Sequence, residues 1–199
     1  MITSIVVDHL YTKFQKNSSI GIAYLYCNFR RHEEQKPTDL LLSLLKQLLQ
    51  EQPSIPENVK CLYNSHKYKR TRPSINEISK VLHSIVTNYS KSFIIIDALD
   101  ECQITDGRRK RFLSEIFNLQ AKTGASIFAT SRYIPEITNE FKGATSLEIR
   151  ASSDDVQRYL DGHMSQLPTC VSHNYALQEE IKVEIIKAVD GMYVSSYVT

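Results

Sequence analysis

Short apolar segments without charge alternate along the chain with longer segments whose apolar residues recur every three or four positions. An uncharged apolar run is typical of a strand buried on both faces, whereas the longer spacing is typical of an amphipathic helix. The pattern predicts strands at residues 20–29, 92–97, 126–130 and 146–149. It predicts helices at residues 2–14, 38–50, 75–89, 106–120, 153–160 and 177–190.

Capping residues support several of these helix boundaries. Ser74 and Glu77 form the S-x-x-E pattern of a capping box, and Thr38 and Ser152 or Ser153 are suitable N-caps. Gly191 is expected to stop the last helix.

The helix at 38–50 is unusually rich in leucine. Leu occupies positions 40, 41, 42, 44, 45, 48 and 49. These are too many for one narrow stripe, so we expect neighbours on most sides of this helix. The segment that follows, 57–72, is polar and basic and is expected to be an exposed loop.

Alternating strands and helices favour an α/β fold, with a parallel sheet flanked by helices and right-handed crossovers. We assign this α/β domain to residues 1–150. Residues 151–199 contain helical patterns only, so they are expected to begin a helical extension.

Composition fits a globular protein. Of the 199 residues, 42% are apolar and 23% charged, and the formal charge is +2. No run of 18 apolar residues and no signal peptide is present, so we expect a cytoplasmic protein without a membrane partner. The four cysteines are far apart, and we expect each to be reduced, buried and inert. The six histidines form no metal-binding pattern.

The strongest chemical signal is the segment FIIIDALDE at 93–101. Ligands of open α/β sheets bind at the carboxyl ends of the strands, and Asp97 stands at such an end. A carboxylate there can hold Mg²⁺ through water, while Asp100 and Glu101 just beyond it can orient an attacking water near a γ-phosphate. This is a Walker B pattern; the structural alternative is a buried strand that ends in an acidic turn.

A second signal follows the next apolar strand, where Thr130, Ser131 and Arg132 stand together. In a parallel sheet these residues are expected beside Asp97, where a hydroxyl and a guanidinium could contact nucleotide phosphates. The alternative for Arg132 is an ordinary solvated loop residue.

Five segments carry a family resemblance: IGIAYLYCNFR, the Leu-rich helix after KPTDLL, FIIIDALDEC, SIFATSR and EIIKAVDGM. Together they resemble the NACHT-type P-loop NTPases of the STAND class, and most closely the nephrocystin-3-like N-terminal domain common in fungal proteins. The resemblance implies a nucleotide-controlled signalling switch that binds Mg²⁺ with ATP or GTP and has protein partners or self-associates. It implies that Asp97 is the metal-site acid, that Asp100 and Glu101 are the catalytic pair, and that Arg132 senses phosphate.

The family's Walker A motif is missing. No glycine is followed by lysine, so the chain contains no G-x-x-x-x-G-K-[ST], and the first helix starts without a preceding strand or cap. We therefore interpret the chain as a fragment, truncated product or degenerate paralogue that lacks the first strand and the P-loop. Without the P-loop's backbone N–H groups and lysine, weak or no nucleotide hydrolysis is expected.

Two basic segments support a different hypothesis, a non-catalytic module that binds nucleic acid or protein. They are residues 60–72, with five Lys or Arg, and 108–111, with four in a row. The simpler interpretations are an exposed loop for the first segment and a solvated helix face for the second. On balance nucleic acid is not the partner we expect.

Overall fold

A computed structural model describes residues 2–14, 17–102, 107–150, 152–189 and 193–199. Its helices are α1 (Ile2–Lys13), α2 (Pro37–Gln50), α3 (Glu57–Lys69), α4 (Ile75–Val86), α5 (Arg108–Thr123), α6 (Pro135–Glu140), α7 (Ser153–His163), α8 (Thr169–Ser172) and α9 (Tyr175–Val189). Its strands are β1 (Ile20–Tyr26), β2 (Lys91–Asp97), β3 (Ser126–Arg132), β4 (Thr145–Arg150) and β5 (Tyr193–Val198). Asp106, Asp190 and Gly191, which were expected at helix ends, lie outside the described residues.

The five strands form one sheet in the order β1-β2-β3-β5-β4. β1 and β3 both run parallel to the central β2, with Ala23 opposite Ile94 and Ile94 opposite Ile127. At the other side of β3, Ile127 and Thr199 exchange both backbone hydrogen bonds at 3.0 Å, which is the pairing of antiparallel strands. The sheet is therefore mixed, and the expectation of a parallel sheet holds only for its first three strands.

The end of the chain is not helical throughout, because β5 follows α9. Its sequence, YVSSYV, is rich in aromatic and β-branched residues, which favour a strand. Tyr197 is buried and stacks on Phe141 with 4.6 Å between ring centroids. The hydroxyl of Tyr197 also shares a hydrogen bond with Thr138, a residue of α6. The expectation of a purely helical extension is wrong for these residues.

The main hydrophobic core lies on one face of the sheet, under α2, α4 and α5. On the other face α1 places Val7 against Ile22 and Ile95. Because successive strand residues point to opposite faces, the run of isoleucines in β2 supplies both clusters. Ile94 and Ile96 belong to the main core and Ile95 to the smaller cluster. This double burial is what the uncharged strand predicted.

Gly21 allows the closest approach in the main core. A Cβ atom at this position would lie 2.9 Å from Cδ2 of Tyr89 and 3.0 Å from a methyl carbon of Leu48. The hydroxyl of Tyr89 donates a hydrogen bond to the backbone carbonyl of Leu48, so the Tyr89 ring cannot move away freely. β1 therefore needs glycine at this position.

The helices depart from the sequence predictions mainly at their ends. α2 begins at Pro37, one residue before the predicted N-cap Thr38, because proline's fixed φ suits the first helical position. The capping box of Ser74 and Glu77 is confirmed at the start of α4. β1 ends at Tyr26, three residues earlier than predicted, and Phe29–Glu34 forms short 3-10 turns with a kink at Arg31. α6 was not predicted.

Residues 57–72 are not the expected loop, because α3 occupies most of them. Val59 and Leu62, three positions apart, pack against the main core, although α3 buries no residue fully. A weak apolar stripe is thus enough for a helix here.

The chain divides into two compact units, one comprising residues 1–146 with 196–199 and the other residues 147–195. In the second unit Ser152 caps α7, as predicted for one of the two serines. Lys182 of α9 forms ion pairs with Asp161 at 2.6 Å and with Glu179 at 2.7 Å. These hydrogen bonds raise the pKa of Lys182, so the lysine remains charged and joins α7 to α9.

Candidate functional site

The predicted site residues meet where β2 and β3 end. The Ile94–Ile96 run of β2 is buried, and Asp97 follows it as the last residue of the strand, only half-buried. Because β2 and β3 are parallel, their carboxyl ends lie at the same edge of the sheet. Asp97 and Thr130 are the next facing pair after Ile96 and Ala129, so the register alone brings them together.

Two hydroxyl groups donate to the same oxygen of Asp97. The Oγ1 atom of Thr130 lies 2.7 Å from Oδ1, and Oγ1 of Thr3 in α1 donates to that oxygen as well. Thr3 is fully buried. Within the described part of the chain, no group hydrogen-bonds to the other oxygen, Oδ2. A carboxylate with one oxygen held and one free fits a metal ligand, direct or through water.

The residue after Asp97 has an uncommon backbone conformation. Ala98 is left-handed, with φ 51° and ψ 52°, which costs a residue other than glycine about 1–2 kcal/mol. Its N–H donates to Oγ1 of Thr130 at 3.0 Å. The hydroxyl of Thr130 thus fixes both the Asp97 carboxylate and the turn that follows. That turn leads into the 3-10 helix Leu99–Glu101, which carries the acidic pair.

Asp100 and Arg132 form a close ion pair. The Nε atom of Arg132 lies 2.6 Å from Oδ2 of Asp100, and the backbone N–H of Arg132 donates to Oδ1 at 3.0 Å. The carboxylate is nearly buried, with 4% of its side chain exposed, whereas 72% of the arginine side chain is exposed. The hydrogen bond to Asp100 raises the pKa of Arg132. The Arg132 guanidinium has an exposed side that is available to a ligand.

Glu101 and Ser131 are engaged elsewhere. Oε2 of Glu101 accepts a hydrogen bond from the backbone N–H of Phe29 at 3.2 Å, which ties the turn to the end of β1. The hydroxyl of Ser131 is buried and donates to the carbonyl of Arg132 at 2.7 Å. Asp97, Thr130, Asp100 and Arg132 therefore form the core of the site, with Glu101 bound to the β1 end and Ser131 directed into its own strand.

Two buried cysteines, Cys27 and Cys102, lie next to the site. Cys27 follows β1, and its backbone N–H donates to the carbonyl of Asp97 at 3.0 Å. A hydrogen bond with Cys102 and burial both raise the pKa of Cys27, so this thiol remains protonated. Buried cysteines were predicted, which is confirmed for Cys27 and Cys102 but wrong for Cys61 and Cys170, since both are exposed.

The basic run 108–111 is not a uniformly solvated helix face. Lys110 and Arg111 are exposed, but Arg109 points inward, and only 7% of it is accessible. Its Nη1 atom has no hydrogen-bond partner in the described ranges. The first turn of α5 therefore has cations both in the interior and in solvent.

Among the described residues, no three His, Cys, Asp or Glu side chains form a group that could hold a metal.

Sequence reasoning missed three contributors to the site: Thr3, Ala98 and the Phe29 backbone. The contact between Thr3 and Asp97 spans 94 residues, and no local pattern reports such a distance. The left-handed turn at Ala98 carries no glycine or asparagine that would indicate it. Only the strand register, which places β1 beside β2, could have indicated Phe29.

Comparison with known proteins gives one match. Residues 1–132 fit the family model described as Nephrocystin 3, N-terminal. No curated protein and no solved structure matches the chain. The matched range contains every predicted site residue from Asp97 to Arg132. None of the helices in the described ranges is long and apolar enough to cross a membrane.

Proposed function

Because the chain belongs to the nephrocystin 3 N-terminal family, we propose that the edge formed by Asp97, Thr130 and Arg132 is the metal and phosphate side of a nucleotide-controlled signalling domain. The domain would be of the NACHT type, in the STAND class of P-loop NTPases, with ATP or GTP as its ligand and a protein as its partner. The observation that carries this proposal is the Asp97 carboxylate, which has one oxygen held by hydroxyls and the other free of described partners.

The residues present suit Mg²⁺ and a nucleotide phosphate. Carboxylate oxygens are the ligands that Mg²⁺ prefers, usually with several of its waters retained. When bound, the metal would neutralise phosphate charge. Thr130 orients the Asp97 carboxylate, and Arg132, two residues further along β3, has an exposed guanidinium. Guanidinium groups recognise phosphate through paired hydrogen bonds.

Asp100 sets a condition on Arg132. Since the two form an ion pair at 2.6 Å, any phosphate must share Arg132 with a carboxylate or displace that carboxylate. We propose that this pair makes Arg132 a sensor, whose partner differs between the free and the nucleotide-bound domain. Glu101, bound to the Phe29 backbone, would connect the same turn to the end of β1.

We propose weak or no hydrolysis for this polypeptide. Its 199 residues contain no G-x-x-x-x-G-K-[ST], so the backbone N–H groups and the lysine of a P-loop are not supplied. Each lost charge-assisted hydrogen bond removes about 1.5–3 kcal/mol. The loss of several such bonds turns a micromolar affinity into one on the order of millimolar.

An NMR titration suits an affinity of this size. Adding ATP or GTP with Mg²⁺ to the ¹⁵N-labelled chain should shift the amide signals of residues 97–101 and 130–132. In Asp97→Asn the dependence on Mg²⁺ should be lost, while the exposed control Glu57→Gln should retain it. Shifts that do not depend on Mg²⁺, or that survive in Asp97→Asn, would contradict the proposed metal site.

Turnover tests the second part of the proposal. Micromolar binding with hydrolysis that Glu101→Gln abolishes would show that the polypeptide is an active NTPase, and would overturn the expectation of weak or absent hydrolysis. Phosphate release no faster than from nucleotide alone is the expected result.

A further inference from the structure

A groove of about 700 Å³ lies between α2 and α3. Its apolar wall consists of Leu42, Leu45, Leu49, Ile55, Val59 and Leu62. The groove explains why α2 has more leucines than one stripe requires. Leu41, Leu44 and Leu48 are buried in the main core, while Leu42 and Leu49 are only half-buried and face the groove. On this side α2 faces the groove, and α3 forms the opposite wall.

The carboxyl end of α3 is held by side-chain contacts, in addition to the packing of Val59 and Leu62 on the main core. His66 hydrogen-bonds Thr71 at 2.7 Å and Glu77 of α4 at 3.3 Å. Arg70 then takes a left-handed conformation with φ 50°, which turns the chain back toward α2. Arg72 reaches Asp39 in the first turn of α2 at 3.6 Å. The two helices are thus antiparallel, and the segment after α3 closes one end of the groove.

This closed end is strongly cationic. Lys67, Arg70 and Arg72 line it, and Lys46 projects from α2, whereas no Asp or Glu is among the described lining residues. Lys67 lies over the ring of Tyr63 at 5.4 Å, and Arg72 pairs with Asp39 across 3.6 Å. Arg70 and Lys46 have no ion-pair partner in the part of the chain that the structure describes. The groove combines an aliphatic wall with cations that remain available.

We propose that this groove binds an aliphatic carboxylate, with its chain along the leucines and its head group between Lys67 and Arg70. The volume lies within the range of about 300–1,000 Å³ typical of small-molecule sites. Charge complementarity selects an anionic head, since the described lining residues carry four cations and no acid. A site for single-stranded nucleic acid would instead offer aromatic faces along a basic track. Here Tyr63 lines the groove with Lys67 over its ring, but the wall that α2 contributes is aliphatic.

The test is calorimetry on the full chain with dodecanoate below its micelle concentration. We expect saturable binding of one molecule per chain. Acetate has the head group without the tail, and dodecyltrimethylammonium has the tail with the opposite charge, so neither should bind measurably. Equal binding of the cationic amphiphile would overturn the proposal, because it would show apolar adsorption without charge selection.

Variants locate the site. Lys67→Gln combined with Arg70→Asn should weaken dodecanoate binding at least about tenfold, because charged hydrogen-bond partners are lost. Asparagine is chosen at position 70 because it tolerates the left-handed backbone. Leu62→Gln should weaken binding by a similar factor. The matched control, Lys60→Gln combined with Lys69→Gln, removes the same charge outside the groove and should leave binding unchanged.

Circular dichroism checks that each variant remains folded, and α3 tolerates these changes because it buries no residue fully. Equal weakening by the control pair, or no weakening by either groove variant, would overturn the proposal. An acidic amphipathic peptide is the competing ligand. If such a peptide binds and dodecanoate does not, the groove receives a protein helix and the carboxylate assignment is wrong.

Discussion

Thr130 holds Asp97 across two neighbouring parallel strands, with 2.7 Å between the threonine hydroxyl and Oδ1 of the carboxylate. The same hydroxyl accepts the N–H of Ala98, whose left-handed backbone starts the acidic turn. One side chain therefore orients the proposed metal ligand and stabilises the turn that presents Asp100. This double role makes Thr130 the residue on which the geometry of the site depends most.

Comparing Thr130→Val with Thr130→Ser distinguishes the effect of the hydroxyl on stability from the effect of the side-chain shape. Thr130→Val leaves the part-buried N–H of Ala98 without its partner and the Asp97 carboxylate with the Thr3 hydroxyl alone, so we expect a loss of about 1–3 kcal/mol in the free energy of unfolding. Thr130→Ser keeps the hydroxyl and should retain most of the stability. Urea unfolding followed by circular dichroism measures both. Equal stability of the two variants would show that the hydroxyl is not essential.

Replacement by alanine should have opposite effects on stability at Gly21 and at Gly162. A Cβ at Gly21 would lie 2.9 Å from the Tyr89 ring, so Gly21→Ala should destabilise the protein by about 1–3 kcal/mol through overpacking. Nothing lies within 4 Å of a Cβ at Gly162, inside α7. Gly162→Ala should therefore stabilise its helix by about 0.5–1 kcal/mol. Thermal unfolding measures both, and an unchanged or raised melting temperature for Gly21→Ala would contradict the packing described for β1.

The capping box predicts a specific loss of stability in acid. Hydrogen bonds from the Ser74 hydroxyl and backbone, and then from His66, lower the pKa of Glu77 to about 2 from a usual value of 4.5. A carboxyl group whose pKa is lower in the folded state stabilises the fold above its unfolded pKa, and this contribution disappears as the pH falls. The stability advantage over Glu77→Gln should be complete above pH 4.5 and vanish near pH 2.

Urea unfolding of the unsubstituted protein and of Glu77→Gln at several pH values tests this window. Ser74→Ala removes the main cause of the lowered pKa, so in that background Glu77→Gln should have a much smaller effect of pH. If the stability difference between the unsubstituted protein and Glu77→Gln stays constant between about pH 5 and about pH 2, the proposed linkage is excluded.

Substitutions of Asp100 and of Arg132, the two members of the ion pair, should change nucleotide affinity in opposite directions. Asp100→Asn frees the guanidinium for a phosphate and should strengthen binding, by up to about fivefold if the pair, whose arginine is exposed, is worth about 1 kcal/mol. Arg132→Gln removes the phosphate contact and should weaken it by a similar factor. Dissociation constants from the NMR titration measure both changes. Weaker binding in Asp100→Asn would mean that the carboxylate positions Arg132 for the phosphate rather than competing with it.

The sequence predicted the features that depend on local patterns. β2 and β3 were predicted because uncharged apolar runs indicate strands that are buried on both faces. α4 was predicted because Ser74 and Glu77 form the pattern of a capping box, which indicates the start of a helix. The meeting of Asp97 with Thr130 followed from the parallel order of these two strands.

The features that the sequence did not predict depend on contacts with other elements of the fold. Thr3 reaches Asp97 across 94 residues, and β5 is a strand because it pairs with β3 through Ile127 and Thr199. α3 looked like a loop because its apolar residues are few, yet the apolar wall of α2 gives them a surface to face. Thr3 and β5 thus depend on partners far away in the chain, whereas α3 depends on the helix that precedes it.

Replacing Mg²⁺ by Mn²⁺ shows whether Asp97 lies beside a metal-bound nucleotide. The paramagnetic ion broadens the NMR signals of nearby amides in the ¹⁵N-labelled chain. With ATP or GTP present, we expect Mn²⁺ to broaden the amides of residues 97–101 and 130–132 first, and Asp97→Asn to abolish this effect. Broadening confined to other parts of the chain, or unchanged in Asp97→Asn, would contradict it.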